Sequence, residues 1–535
     1  MRYLVSTIVE SEKFLSRVIF ISDTTSFGIL GSQRYIGPYT VAFALENSGF
    51  DTIVIDYYTR HANFFDYFSK FLTSDTIAIG ISTTFISPYY TQDEVDDLNA
   101  LTSNVERYNS SALVHREIAD FHDWLQELRN CLNAICPKAK IIIGGAKTQA
   151  LLGYDQNLLK NIDYFLWGAA DGIISEVMKD IESGNGPVVI DYNNHKVIDT
   201  VSHYKTVKHC PRFNWLDKWA IQPDEALPIE ISRGCVFNCK YCHYEKKESF
   251  KKDLEDLRLE FISNYERFGT TKYHFCDDCF NDSRAKVEAV CGMILELPFK
   301  IEWISYARVD VAIKFPETAD LMVRSGARGL HWGIESLTHK VALKAGKGTP
   351  SESVKAFLQD FYEKHGRTCF VHGSFITGLP GETHETQMET IDWVINHQAL
   401  HFVTVGPLKL FPYKASFDGS AMDFSDYSRT PEKYGFKKIS FNPPDWEHET
   451  MNHEQALSYS GLFFKKWRAS NPRRDGPLRT IWNYPHLRGL GFTEEEIQQF
   501  YFSQVGMVEL YKKGTTLFLN RLKNYYNDLL SKNQR

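Results

Sequence analysis

The sequence lacks any apolar run long enough to span a bilayer, and residues 1–10 lack the charged and long apolar regions of a secretory signal. It also lacks an excess of basic residues, because 60 Lys and Arg stand against 67 Asp and Glu, for a formal net charge of −7. Nucleic-acid binders neutralise phosphates with a basic surface, so this charge argues against bulk binding of nucleic acid. We therefore expect a cytoplasmic protein whose partners include neither a membrane nor a nucleic acid.

Cysteine is sparse as well, with ten in 535 residues, which does not make a disulfide scaffold. A reducing compartment would keep such thiols available to a metal. The apolar content of 43% is that of a globular protein, and the length favours about three domains.

Three of the cysteines form the pattern C-x3-C-x2-C at Cys235, Cys239 and Cys242, after a predicted strand over residues 228–232. One tight loop then presents three thiolates to a four-iron, four-sulfur (4Fe-4S) cluster, which leaves one iron without a protein ligand. A structural zinc site is the alternative, but it needs four ligands and usually comes as paired C-x2-C units. His243 would have to strain to reach the same metal as its neighbour Cys242, so the spacing favours the cluster.

This pattern, with the aromatic Tyr241 before the third cysteine, resembles the signature of radical S-adenosylmethionine (SAM) enzymes. The resemblance implies that the open iron chelates the amino and carboxylate groups of SAM. It also implies that one electron from the cluster cleaves a carbon–sulfur bond of SAM to give a 5′-deoxyadenosyl radical.

The first third of the chain alternates apolar strand segments with helical patterns, which predicts a doubly wound, Rossmann-like parallel sheet over residues 1–200. The predicted strands cover residues 17–22, 52–56, 76–82, 140–144 and 162–167. Ligands of such sheets bind beyond the carboxyl ends of the strands, so the loops after those ends are candidate sites. The long connection over residues 86–137 carries apolar residues at helical spacing, which predicts core packing.

This domain resembles the cobalamin-binding (B12-binding) domain that precedes one large class of radical SAM enzymes, including two glycines after the fourth strand and an acidic turn after the fifth. The resemblance implies cobalamin contacts from a set of small residues: Thr25, Ser82, Thr83, Gly144 and Gly145. That class usually shows Gly-Glu-Gly-Glu at the turn, whereas this chain has Gly-Ala-Ala-Asp at residues 168–171.

Many cobalamin domains carry a cobalt-ligating histidine in the pattern D-x-H-x-x-G after the first strand, where this chain has Thr25. A hydroxyl is a poor cobalt ligand next to imidazole, so bound cobalamin is expected to lack a protein nitrogen ligand on that face. Radical SAM enzymes that use cobalamin commonly lack this histidine. The alternative is a sheet that only scaffolds the catalytic domain or a partner, since a fold does not imply a function.

After a linker over residues 201–227, strand and helix patterns alternate again over residues 228–420 and predict a partial, six-stranded (β/α) barrel. The predicted strands cover residues 228–232, 272–276, 301–308, 330–335, 370–377 and 402–410. The active site of such a barrel gathers at the C-terminal ends of the strands. We expect Trp215 and Trp219 of the linker to pack between domains rather than to bind a ligand.

Charged or small residues follow successive predicted barrel strands: Asp277, Asp278, Arg308, Glu335 and Gly378. SAM requires acceptors for its ammonium and ribose hydroxyls, a cation for its carboxylate and backbone near its adenine. The segments resemble the acidic second-strand motif, the ribose-binding strand and the fifth-strand turn of the family, which implies that these residues and Tyr241 contact SAM. We expect Glu335 and Arg308 to position SAM rather than to transfer protons. Each residue alone is also explained as a solvated strand end.

Cys276 and Cys279 form a further C-x2-C, but no other cysteines have the spacing that would complete a second cluster. We therefore expect one cluster, and a separate role for Cys276 stays open. Residues 421–535 predict a mostly helical region that closes the barrel and shapes the substrate pocket. Its basic residues are expected to form a solvated face: Lys465, Lys466, Arg468, Arg473 and Arg474.

Together these features favour a cobalamin-dependent radical SAM methyltransferase that acts on an unactivated carbon of a small-molecule or peptide substrate. An electron donor such as flavodoxin or ferredoxin is an expected partner. Two alternatives remain. One is a radical SAM oxidoreductase, cyclase or ring-rearranging enzyme without methyl transfer, and the other is a cobalamin or redox sensor.

Replacing Cys235, Cys239 or Cys242 by alanine is expected to abolish reductive cleavage of SAM, because two thiolates do not hold a cluster with one open iron. Anaerobic iron analysis of the unmodified protein should give about four irons per chain. Retained 5′-deoxyadenosine formation in any of the three variants would contradict the ligand assignment, and about eight irons per chain would contradict the single cluster.

Overall fold

Two parallel sheets dominate the computed structural model of the protein, and both lie where the sequence predicts them. The structure describes residues 16–23, 33–61, 63–83, 118–145, 148–152, 156–200, 210–242, 249–410, 425–441, 444–470, 480–502 and 507–534. Four residues considered above lie outside the described residues: Thr25, His243, Arg473 and Arg474.

The N-terminal sheet has seven strands in the order β2-β1-β3-β4-β5-β7-β6. Its strands are β1 (Arg17–Ile21), β2 (Asp51–Ile55), β3 (Thr76–Ser82), β4 (Lys140–Gly144), β5 (Tyr164–Trp167), β6 (Ile190–Tyr192) and β7 (His195–Asp199). The first five are mutually parallel in the doubly wound order 2-1-3-4-5, as predicted. The sequence pattern missed the last two, of which β7 runs parallel to β5 and β6 pairs antiparallel with β7.

Helices cover both faces of this sheet. They are α1 (Ile36–Glu46), α2 (Phe64–Phe68), α3 (Ile118–Ile135), α4 (Thr148–Leu151) and α5 (Ile174–Glu182). One face of the sheet, with Val18 and Val54, shares a core with α1 and α5. The opposite face packs against α3, whose Trp124 and Leu128 are buried. The described part of the long connection therefore serves core packing, as predicted.

The linker packs as part of the core. Trp215 and Trp219 are both buried, and their rings lie 4.6 and 5.3 Å from the ring of Tyr39 on α1. Phe261 of the following domain belongs to the same apolar cluster. This confirms the prediction that the two tryptophans pack between domains.

The second sheet is the predicted partial barrel, with six parallel strands in the order β15-β14-β13-β12-β11-β8. Its strands are β8 (Leu227–Glu230), β11 (Lys272–Cys276), β12 (Glu302–Arg308), β13 (Ala327–Glu335), β14 (Phe370–Thr377) and β15 (Phe402–Pro407). Between β8 and β11, the short strands β9 (Ser232–Arg233) and β10 (Phe250–Lys251) form an antiparallel ribbon. The helices are α6 (Leu254–Phe268), α7 (Arg284–Leu295), α8 (Val309–Lys314), α9 (Pro316–Arg324), α10 (His339–Lys344), α11 (Ser351–His365) and α12 (His384–Asn396).

The C-terminal region is mostly helical, as predicted, but it also contains an antiparallel sheet that the sequence pattern missed. That sheet comprises β16 (Phe436–Phe441), β17 (Pro444–His448) and β18 (Met451–Asn452). The helices are α13 (Asp426–Arg429), α14 (His453–Ser470), α15 (Tyr484–Gly489), α16 (Glu494–Phe502) and α17 (Met507–Asn533). No helix among the described residues is both long and apolar enough to cross a membrane.

A buried ion pair ties the two ends of the chain to the linker. Arg34 donates from Nε to Glu225 Oε1 at 2.8 Å and from Nη1 to the hydroxyl of Tyr39 at 2.6 Å. Its guanidinium also lies 4.7 Å from the ring of Tyr525 on α17. Because Arg34 and Glu225 have side chains that are 0% and 5% exposed, each charge depends on the other for compensation.

Replacing Arg34 by methionine is expected to destabilise the protein by roughly 3–5 kcal/mol, because Glu225 is left as a buried charge without its partner. Urea unfolding followed by tryptophan fluorescence measures the loss. Arg258→Met is the matched control, since Arg258 forms an exposed pair with Glu255, and it should change stability little. An Arg34→Met protein as stable as the control would contradict the assignment, and adding Glu225→Gln should restore part of the loss.

Candidate active site

The cysteine loop leaves the end of β8 through a left-handed turn. Gly234 has φ of 80°, a conformation that costs glycine least, and it places Cys235 at the start of the loop. Within the loop the N–H of Cys242 donates to the carbonyl of Cys239 at 3.2 Å. This tight turn keeps the last two cysteines of the pattern close together.

A buried lysine anchors the loop from below. Lys286 on α7 lies 2.7 Å from Asp277 Oδ2 and donates to Ser232 Oγ at 2.7 Å and to Asp282 at 3.2 Å. Ser232 Oγ in turn donates to Asp277 Oδ2 at 2.9 Å, and the N–H of Cys279 donates to Asp277 Oδ1 at 2.9 Å. The ends of β8 and β11 are therefore joined through one ammonium group.

This network engages Asp277, which the resemblance placed among the SAM contacts. Its side chain is 0% exposed and its carboxylate is fully engaged with Lys286, Ser232 and the backbone. A buried carboxylate is stable only where charge and hydrogen bonds compensate it, and here the compensation comes from α7. Asp277 thus positions the loop, while the neighbouring Asp278 accepts from the N–H of Gly234. Burial and the charge of Asp277 raise the pKa of Asp278 to about 6.

Cys279, rather than Cys276, lies against the cysteine loop. The Cys279 thiol forms a hydrogen bond with Cys235 that lowers the pKa of Cys235 to about 7. The thiolate is the form that binds iron, so this contact makes the ligand form accessible at neutral pH. Sequence reasoning gave Cys279 no role, although its C-x2-C spacing with Cys276 was visible.

Arg308, at the end of β12, reaches the second cysteine. Its Nη1 donates to Cys239 Sγ at 2.9 Å, and its Nε and Nη2 donate to the carboxylate of Asp310 at 2.9 and 2.6 Å. Its guanidinium lies 3.8 Å from the ring centre of Phe237 in the loop. The structure therefore brings Arg308 to the cysteine loop, as expected for a cation next to thiolates.

Glu335, at the end of β13, closes the opposite side of the site. Its Oε1 accepts from the hydroxyl of Tyr241 at 2.8 Å and from Lys347 Nζ at 3.0 Å. The residue has φ of 68°, a left-handed conformation that is costly outside glycine, and the register with β14 shifts between Gly333 and Glu335. This irregularity turns the carboxylate toward Tyr241 and thus toward the cysteine loop.

Gly378 ends β14 in a turn that only glycine fits. It has φ of 80°, and a Cβ atom there would lie within 2.6 Å of Ala456 and still closer to Trp446. Its N–H donates to Glu382 Oε2 at 2.8 Å, and its carbonyl accepts from His448 Nε2 at 3.1 Å. The backbone at Gly378 is thus held rigidly between the barrel and the C-terminal sheet.

The donors present fit a cluster with three thiolate ligands. Cys235, Cys239 and Cys242 share one loop, a cation faces Cys239, and a thiol contact favours ionisation of Cys235. Among the described residues no three His, Cys, Asp or Glu side chains are arranged to hold one metal ion. A cluster makes a different demand, because each thiolate binds a separate iron.

A slot of about 450 Å³ runs into the N-terminal domain between its sheet and the helices α1 and α5. Ser82, Gly144 and Gly145 line it, and so does the turn over residues 168–171. Thr83 is buried beside the slot, where a Cβ on Gly145 would lie 2.7 Å from its hydroxyl. The structure thus brings the described members of the predicted cobalamin set to one place.

Residues of the barrel domain also line the slot, and we call the end that they line its mouth: Glu230, Arg233 and Cys276. Arg233 pairs with Glu230 through Nε at 2.7 Å and reaches across to Asp171 of the N-terminal domain through Nη1 at 2.7 Å. The sequence analysis did not identify Arg233 as a site residue, because its position two residues before Cys235 does not indicate a contact with the N-terminal domain. The slot therefore opens directly toward the first two barrel strands.

Residues 229–394 match the sequence model of the radical SAM superfamily. The chain carries a radical SAM domain. The matched segment contains the three loop cysteines together with Cys279, Arg308 and Glu335. The protein is therefore a radical SAM enzyme.

Solved structures extend the likeness beyond the radical SAM domain. A radical SAM methyltransferase from Kitasatospora setae, TsrM, solved with its tryptophan substrate and a SAM analogue, has a TM-score of 0.56 and 16% identity over 94% of this chain and 89% of its own. The cobalamin-dependent radical SAM enzyme OxsB, solved with aqua-cobalamin and SAM, has a TM-score of 0.50 and 13% identity over 97% of this chain and 80% of its own. No curated protein matches the chain. At these identities the likeness establishes the shared fold.

Replacing Lys286 by methionine is expected to destabilise the radical SAM domain by roughly 3–5 kcal/mol, because Asp277 and Asp282 lose a buried countercharge. Iron content after anaerobic reconstitution should fall with it. Lys355→Met is the matched control, since Lys355 pairs with the largely exposed Glu352, and both readouts should stay close to the unmodified protein. Normal stability together with normal iron content in Lys286→Met would contradict the anchoring role.

Proposed function

We propose that this radical SAM enzyme binds cobalamin in the slot and transfers a methyl group to an unactivated carbon of a small-molecule or peptide substrate. The observation that carries the proposal is the slot itself, whose mouth is formed by the barrel residues Glu230, Arg233 and Cys276. The fold supports it, because TsrM and OxsB, which share this architecture, were both solved with bound cobalamin.

The lining of the slot suits a large, flat or elongated apolar ligand. Its walls are mainly aliphatic, with Ile36 and Val41 from α1 and Ile174 and Met178 from α5. Glycines on β3, β4 and the turn after β5 leave room for close approach of a ligand to the backbone. A corrinoid has a bulky appended nucleotide, and the slot would hold such a group while leaving the mouth open to the barrel.

The radical SAM domain supplies the second half of the proposal. We assign the three loop cysteines to a 4Fe-4S cluster with one open iron, and SAM to the space bounded by Tyr241, Arg308, Glu335 and Gly378. Arg308 holds a positive charge beside Cys239, and Glu335 presents an acceptor that Tyr241 and Lys347 fix in place. Glu335 is already paired with a lysine, which favours a positioning role over proton transfer.

Bound cluster and cobalamin would supply the electron for SAM cleavage and a carrier for the methyl group, respectively. The chain's own contribution is to orient both cofactors toward one space between the ends of the barrel strands and the mouth of the slot. The Arg233 bridge from Glu230 to Asp171 holds the two domains in that orientation. An electron donor such as flavodoxin or ferredoxin is part of the proposal, since the cluster must be reduced.

Filling the slot tests the cobalamin site. Met178→Trp adds bulk to a fully enclosed wall, and overpacking of this kind is expected to reduce bound cobalamin roughly tenfold or more. Val188→Trp is the matched control, because Val188 is 50% exposed and does not line the slot. Cobalamin per chain after anaerobic reconstitution is measured by absorbance, with iron content and SAM cleavage as readouts that should stay normal in both variants.

Turnover with SAM that is labelled in its methyl group separates the alternative reactions. One labelled methyl group in the product and a second SAM converted to 5′-deoxyadenosine support the methyltransferase. A product without label points to an oxidoreductase, cyclase or ring-rearranging reaction, and failure to form 5′-deoxyadenosine beyond the amount of enzyme points to a sensor. Equal cobalamin content in Met178→Trp and Val188→Trp would refute the slot as its site.

A further inference from the structure

Four aromatic side chains lie side by side inside the barrel. Tyr306 on β12, His331 on β13, His372 on β14 and Phe402 on β15 are register partners on successive parallel strands. We call these four residues the imidazole layer. Arg308, which reaches the cysteine loop, lies two residues beyond Tyr306 on the same face of β12, or roughly 6–7 Å along the strand.

One edge of the imidazole layer, at Tyr306, faces open space, whereas His331, His372 and Phe402 are buried. Tyr306 is 40% exposed, and Thr404, whose Oγ1 lies 2.7 Å from His372 Nε2, is exposed as well. The barrel below is filled, because a Cβ on Gly329 would lie 2.9 Å from Ile481. Trp482 packs against the layer on this filled side, with its ring 4.5 Å from that of Tyr306 and 5.5 Å from that of His331.

The layer carries no charge at neutral pH. Burial lowers the pKa of His331 to about 3 and also lowers the pKa of His372, so both imidazoles are neutral. Their rings stack with centres 4.1 Å apart. The charged groups at the ends of β12 and β13 are already paired, Arg308 with Asp310 and Glu335 with Lys347.

Two nitrogen atoms in the layer lack hydrogen-bond partners among the described residues. Nδ1 of His331 and Nδ1 of His372 are buried without a hydrogen-bond partner in the described part of the chain, and the two side chains are 7% and 0% exposed. Buried polar atoms without partners are costly, so such sites in proteins are commonly completed by a ligand or a water. The layer consists of uncharged, stacked rings and has two nitrogen atoms without hydrogen-bond partners. Such a layer is suited to a planar ligand that carries its own polar atom.

We propose that the imidazole layer is the floor of the substrate site and that it takes an uncharged aromatic or heteroaromatic ring. Tyr306 contributes stacking, and Thr404 marks the polar rim. The proposal rests on the proposed function for the reaction that follows, but binding of the ring does not require it. A charged group would be left without a countercharge at this depth.

Binding to the anaerobically reconstituted protein tests the substrate class with matched probes. Benzyl alcohol and cyclohexylmethanol have the same size and hydroxyl but differ in the planar ring, and NMR titration should show roughly fivefold to tenfold tighter binding of benzyl alcohol. Benzylamine, which is a cation at neutral pH, should bind more weakly than benzyl alcohol. Indole should outcompete benzyl alcohol, since its larger ring adds stacking area.

Tyr306→Leu is expected to remove most of the preference for benzyl alcohol. The matched control is Tyr265→Leu, because Tyr265 is 43% exposed on α6 and stacks on Phe299 instead of facing the barrel interior. Thr404→Val should weaken the binding of benzyl alcohol while retaining the preference for a planar ring. Iron content should be normal in all three variants, and cleavage of SAM in the absence of substrate should be normal in Tyr265→Leu.

Equal affinity for benzyl alcohol and cyclohexylmethanol would overturn the proposal, as would an unchanged preference in Tyr306→Leu. These outcomes are distinguishable from failure of the proposed function. Ring binding that depends on Tyr306 in a protein that transfers no methyl group would refute the methyltransferase and keep the subsite. Methyl transfer to a substrate without a planar ring would do the reverse.

Discussion

The structure depends on one ammonium group placed where a charge is expensive. Lys286 lies in the interior with its side chain 1% exposed, and it is held by Asp277, Asp282 and Ser232. Ser232 follows β8, Asp277 follows β11 and Asp282 precedes α7, so the ion group fixes the frame from which the cysteine loop extends. An apolar side chain at this position would carry no desolvation cost, but it could not bind Asp277, Asp282 and Ser232 together. The loop therefore owes its geometry to electrostatics beneath it rather than to its own short sequence.

The sequence was most informative about the strands of the two parallel sheets. Residues 76–82, 140–144, 272–276 and 370–377 were predicted with the bounds that the structure has, because strands buried on both faces are nearly continuous apolar runs. The pair β6 and β7 and the sheet β16 to β18 were missed. Their strands are short, exposed in part and rich in polar residues, so no apolar period distinguishes them from loops.

In the site, too, features within one short segment could be predicted, whereas contacts between segments that are distant in the sequence could not. The cysteine pattern is local, and it predicted a loop that the structure places beside Arg308 and Glu335 as expected. Asp277 shows the limit, because the sequence does not say which of the two adjacent acidic residues after β11 pairs with a buried cation. Lys286 decides that question, and its role is visible only once α7 is packed. The bridge from Arg233 to Asp171 and the contact of Cys279 with Cys235 could not be predicted. In both cases the two residues are distant in the sequence and come together only in the folded protein.

The last helix has a consequence for how the protein is made. The hydroxyl of Tyr525 on α17 accepts from the N–H of Asp56, which lies 469 residues earlier, and its ring covers Arg34. At ribosomal rates of roughly 5–20 residues per second, on the order of half a minute to a minute and a half separates the synthesis of Asp56 from that of Tyr525. During this interval the edge near Asp56 lacks its partner, and the core around Arg34 is incomplete. Completion of the core around Arg34 is thus a late event in synthesis.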